Sequence, residues 1–170
     1  MEWPAIKLPG KRCLAALLLF FLALGGADVP AAVPLTDITA AEAALRFVVH
    51  KGNEAVSGGW VACVGLFDES GVLPAKLIEP LIAENPGLHP VSACRNKDSR
   101  FYLVDGRKPV PFVGCGTWSY EWRAPARPGT IKITCHIHHG PLNGTIVGFD
   151  VMRAANGALE ATENGERMME

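Results

Sequence analysis

Residues Cys13 to Leu24 read CLAALLLFFLAL, twelve apolar residues without a polar break. Lys7, Lys11 and Arg12 precede them, and Gly25 and Ala27 stand at −3 and −1 of the small-residue step that follows. A basic stretch, a short apolar run and small residues at those two positions are the parts of a secretory signal peptide, here cleaved after Ala27. The run falls short of the roughly 20 residues that span a bilayer, so a removable leader is expected rather than an anchor. Cys13 opens the run, whereas a lipid-accepting cysteine would lie just behind it. Residues 1–27 are thereby taken out of the fold, and the remainder is expected to be exported to the periplasm or the medium.

Four cysteines remain beyond the leader: Cys63, Cys94, Cys115 and Cys135. An even count in an exported domain reads as two disulfides, with three possible connectivities. Zinc sites use cysteine pairs at C-x₂₋₄-C spacing, and no such pair occurs. The connectivity that joins neighbours in the chain is Cys63–Cys94 with Cys115–Cys135. Strand alternation speaks against its second half. Cys115 shares a strand face with Val113 and Thr117, opposite an aromatic ladder, whereas Cys135 lies among isoleucines. Either a bulge at the neighbouring glycines brings them to one face or that pairing does not form.

The full chain of 170 residues carries a net charge of −1, and loss of the leader leaves −3. That is no basis for nucleic-acid binding, which calls for a basic face. No amphipathic or polybasic stretch beyond the leader would hold the chain on a membrane. Apolar residues make up 49% of the chain, enough for one globular domain, and the length leaves little room for a second.

Residues 28–38 are rich in proline and alanine and read as an extended lead-in, with a single domain expected over 39–160. Thr39 and Glu42 fit a capping box, and Ala41, Ala44, Leu45 and Val48 form one apolar helical face. Together they predict a helix over 39–51, closed by Gly52. The apolar stretch from Trp60 to Phe67 reads as a buried strand. A second helix is expected from Pro74 to about Ile82, kinked or shortened by Pro80. Strands are expected at Phe101–Val104, Phe112–Arg123, Thr130–His138 and Thr145–Arg153. Asn156-Gly157 signals a hairpin, after which residues 161–170 form a polar edge strand or a frayed tail. Helices followed by a run of strands define an α+β class, with N-terminal helices on a mainly antiparallel sheet.

Three groups of residues carry potential chemistry. His136 and His138 share one strand face with Lys132 and Thr134, and two histidines at i, i+2 can grip one metal ion if a third ligand comes from elsewhere. Asp150 interrupts an apolar strand, where a half-buried carboxylate can serve as a general base. Trp118, Tyr120 and Trp122 continue from Phe112 along one face, with Gly114 and Gly116 between, a pattern that suits a ligand cleft as well as a plain core. No G-x-S-x-G elbow, phosphate-binding glycine loop, H-E-x-x-H or C-x-x-C is present.

With these elements in order, the strand carrying Cys63-Val64, the Pro90-Val-Ser92-Ala-Cys94 segment and the strands from Phe112 resemble a group of small exported bacterial proteins of unknown function with a Cys…Pro-x-Ser-x-Cys pattern. The resemblance covers roughly residues 40–160. It implies a compact domain with Cys63 paired to Cys94, and it brings no activity. The group carries a tryptophan after its last turn, where this chain has Ala158-Leu159. The order of elements is also similar to the nuclear-transport-factor-2-like fold, which implies a curved sheet closing into a cone with the N-terminal helices.

These residues lead to a non-enzymatic exported domain that binds a small ligand or an envelope protein, without a cofactor. One alternative is a pocket enzyme, a hydrolase or isomerase using Asp150 with a histidine as acid–base pair. Another is a metal-binding protein built on His136 and His138.

Overall fold

The computed structural model describes residues 33–57, 59–117, 127–140 and 143–169. The leader and the positions of Trp118, Tyr120 and Trp122 lie outside the described residues.

Helix α1 spans Asp37–Ala55. Its N-cap is Thr36, whose hydroxyl accepts from the Thr39 amide at 3.2 Å while the Thr36 amide donates to Thr39 Oγ1 at 2.9 Å. The reciprocal cap is therefore one turn earlier than the expected Thr39–Glu42 box, with a threonine in the place of the usual acid. The helix also runs through Gly52 instead of stopping there. A Cβ at Gly52 would fall on the indole of Trp60, so this glycine opens the space into which the ring packs. Asn53 secures that last turn, accepting from the Trp60 amide at 3.0 Å and donating to Asn85 at 2.9 Å.

Strand β1 (Ala62–Asp68) is followed by the two-residue β2 (Gly71–Val72) and a 3₁₀ turn over Ala75–Leu77. The second helix, α2, covers only Glu79–Glu84, with Pro80 in its first turn. There a proline removes no donor that the helix needs, so Pro80 starts this helix rather than kinking a longer one. Then come β3 (Leu88–Pro90), β4 (Cys94–Lys97), β5 (Arg100–Leu103) and β6 (Pro109–Val110). The longer strands close the order: β7 (Phe112–Gly116), β8 (Thr130–His138), β9 (Gly144–Arg153) and β10 (Leu159–Met169).

Seven of the described strands form one sheet in the order β10-β9-β8-β7-β1-β2, with β3 also on β1. Strands β7 to β10 are antiparallel neighbours, whereas β1 runs parallel to both β7 and β3. The class is α+β, but the sheet is mixed. Strands β4, β5 and β6 form a separate antiparallel sheet, turned at Asp98 and Ser99 with φ of 52° and 57°. That pair of left-handed residues is the backbone of a two-residue hairpin turn.

The core lies between α1 and one face of the large sheet. Ala41, Ala44, Leu45, Val48 and Val49 of α1 meet Val64, Leu66, Val113, Ile133, Phe149 and Val151. Of the helices, α1 is the one laid across these strands, so the packing expected of several N-terminal helices rests on one. Cys115 stands directly opposite Cys135 in the β7–β8 ladder, and the two are bonded, with Cα atoms 4.1 Å apart. No bulge is needed. The face of Val113 and Cys115 is the core face, continuous with Ile133 and Ile137, and the face of Phe112 points away from α1. Cys63–Cys94 is the second disulfide and ties the small sheet to β1.

Candidate functional site

The large sheet has a side turned away from α1, on which strand alternation and the observed register place Phe112, Gly114 and Gly116 of β7, Lys132, Thr134, His136 and His138 of β8, and Asp150 of β9. The histidines are thus on one face, as alternation requires, with ring centroids 6.3 Å apart. Phe112 joins them to the small sheet: its ring lies 6.2 Å from that of His138 and stacks on Phe101 at 4.3 Å. His136 is only 9% exposed, and burial, with the His138 charge beside it, lowers its pKa to about 4. Its imidazole is neutral at physiological pH.

Asp150 is buried, yet the geometry does not bring it to the histidines. It stands opposite Lys132, while His136 stands opposite Ile146, four residues earlier in β9. That offset is about 13 Å along the strand, too far for a proton to pass directly between them. Asp150 Oδ2 lies 3.6 Å from Arg127 Nε instead. Its Oδ1 has no hydrogen-bond partner among the described residues. Nor do three metal-ligating side chains gather anywhere among the described residues, so His136 and His138 have no described third donor. The aromatic ladder is described only at Phe112, since Trp118, Tyr120 and Trp122 fall outside.

A cavity of about 370 Å³ opens on the other side, between the C-terminal half of α1 and strands β8 to β10. Small-molecule sites fall in the range of roughly 300–1,000 Å³. Its floor is apolar: Val48, Trp60, Val147 and Phe149 are buried, and Phe47 meets Phe149 edge to face at 5.4 Å. Its rim is polar, with Lys51 from α1, His139 just after β8, and Glu163 and Arg167 from β10.

A bulge in β10 sets that rim. Glu163 pairs with Phe149 and Arg167 with Val147, so four steps on β10 match two on β9. The extra residues carry Asn164 across Gly148 on the far face, with Gly165 at φ +84°. Glu163 and Arg167 consequently both face the cavity, and Arg167 Nη2 donates to Glu163 Oε2 at 2.7 Å. On the opposite wall Lys51 Nζ lies 6.0 Å from the centre of the Phe47 ring and 2.8 Å from Glu54.

The sequence analysis placed Val48, Gly52 and Trp60 of this lining in helix and strand, and gave no cavity residue a binding role. Two local signals point to them: Phe47 and Lys51 stand one helical turn apart, and Asn164-Gly165 is a turn dipeptide inside an otherwise strand-like tail. Comparison with known proteins adds no neighbour: no family model, curated protein or solved structure matches this chain.

Proposed function

We propose that this protein is an exported, disulfide-stapled binding domain that takes a small apolar ligand into the cavity between α1 and the sheet, without chemistry on it. The observation that carries the reading is the cavity itself: an apolar floor of buried Phe149, Trp60 and Val147 beneath an open polar rim. A recess with a mostly apolar lining and a few polar groups at its edge is where small molecules bind. Two disulfides support export, because such bonds persist in oxidising compartments, and no helix among the described residues is long and apolar enough to cross a membrane. The cone-like, curved sheet of the nuclear-transport-factor-2-like fold belongs to the same reading, with α1 inside the curve.

N-phenyl-1-naphthylamine, a neutral dye that brightens in apolar surroundings, tests it. Saturable binding is expected, and Ala55→Trp, at an exposed lining position, is expected to abolish it while far-ultraviolet circular dichroism stays unchanged. Absence of saturable binding, or binding that A55W leaves intact, would overturn the assignment to this cavity.

A further inference from the structure

We infer that the small sheet is a docking face for the anionic phospholipid surface of a membrane, independent of the cavity beside α1. The register of its hairpin carries the inference. Arg95 stands opposite Tyr102 and Lys97 opposite Arg100, so strand alternation puts these four side chains on one face. The other face is turned inward, where Cys94 is bonded to Cys63 of β1 and Phe101 stacks on Phe112 at 4.3 Å. Arg95, Lys97 and Arg100 are thereby presented to solvent, and all three are exposed. Like charges directly opposite, as at Lys97 and Arg100, destabilise a strand pair, so the stability of the sheet does not account for them. An anionic surface laid on this face does, because it sets attraction against that repulsion.

The turn after β5 completes the face. Arg95 Nη2 donates to the Gly106 carbonyl at 3.2 Å, and the Gly106 amide donates to the Leu103 carbonyl at 2.8 Å. These bonds hold a turn that carries Val104, 59% exposed, with Arg107 and Lys108 exposed just behind it. Five cations thus stand against two acids, Asp98 and Asp105, in a chain whose other residues are net acidic. None of the five is ion-paired among the described residues. An apolar tip among cations suits the boundary between head groups and acyl chains, where the aliphatic side chain leaves water while the cations meet phosphate. A polynucleotide offers no such place for Val104. Tyr102, moreover, has Arg95 over its ring at 5.8 Å where a base would need an open stacking surface. No contiguous basic run marks the patch, which strand pairing and the turn assemble from residues 95–108.

Co-sedimentation of the exported, oxidised protein with lipid vesicles tests it. Partitioning onto phosphatidylcholine vesicles carrying about 30% phosphatidylglycerol is expected to exceed that onto pure phosphatidylcholine at least about tenfold at low salt. That margin is expected to vanish in about 0.5 M sodium chloride. Each cation near such a surface changes partitioning about fivefold, so Lys97→Gln with Arg100→Gln is expected to cut it at least about tenfold. Val104→Ser is expected to weaken it about threefold. All three positions are exposed, and far-ultraviolet circular dichroism is expected to stay unchanged. Equal partitioning onto the two vesicles, or partitioning that the double variant leaves intact, would overturn the inference. A Val104→Ser variant that partitions like the parent would leave charge alone as the cause and overturn the choice of a lipid surface. Binding to single-stranded DNA with none to either vesicle would mark a patch for a soluble polyanion, and the membrane assignment would fall. Dye binding in the cavity is a separate readout, so failure of one reading leaves the other standing.

Discussion

His136 sits on the polar side of the sheet with its pKa lowered to about 4, first by burial and second by the neighbouring charge of His138. In the unfolded chain an imidazole titrates near 6.5. Between those two values the unfolded state takes up a proton that the folded state refuses. The contribution to stability is thus whole above about pH 6.5 and is lost as pH falls toward about 4, on the order of 2 kcal/mol. Urea unfolding at pH 7.5 and 4.5 checks this: His136→Gln is expected to lose distinctly less stability on acidification than the parent. Equal losses would mean that the imidazole is not kept neutral by its surroundings. The shared face of His136 and His138 could be read from strand period alone, because β8 is regular over its whole length. The separation of Asp150 from both could not. It depends on which residue of β9 faces which residue of β8, and local pattern leaves that register open.

At the scale of elements, the bulge in β10 has a measurable cost if disturbed. Gly165 adopts φ +84° and a Cβ there would touch nothing within 4 Å, so an alanine is penalised by backbone conformation alone. Gly165→Ala is expected to lower unfolding free energy by about 1 kcal/mol. A variant as stable as the parent would show that β10 tolerates a different register.

Much of the element order was legible. Strand β8 has the expected bounds, and β1 and β9 differ from expectation by a residue or two at their ends, because continuous apolar runs and alternation mark buried strands well. The start of α1 was misread because Thr36 and Thr39 both have capping chemistry and only the backbone distinguishes them. Its end was misread because Gly52 answers to Trp60, a tertiary neighbour. The parallel pairing of β1 with β7 and β3 was not legible at all. Nothing in either strand's composition records a partner so far away in the chain. The cavity escaped for the same reason, since Phe47, Phe149 and Arg167 meet only once α1, β9 and β10 are in place.

For the whole molecule, the disulfides close loops with sequence separations of 31 and 20 residues. The chain-entropy account assigns each roughly 3–4 kcal/mol of stability. They differ in access, because Cys115 and Cys135 are wholly buried in the core whereas Cys94 is half-buried at the edge of the small sheet. Under native conditions a reductant is expected to open Cys63–Cys94 first, and Cys115–Cys135 only when the domain unfolds. Timed alkylation with peptide mass mapping follows both. Simultaneous loss would mean that the large sheet and the small one open as one unit.

The packing of α1 against β10 has a consequence for timing. The earliest described helix finds its place partly on the last described strand, so part of its apolar face stays uncovered until about a hundred further residues have been added. Contacts this distant in sequence raise contact order and push folding toward milliseconds or longer. Until that strand docks, part of the helix face is open to other apolar surfaces, which makes the partly folded chain the form most prone to associate.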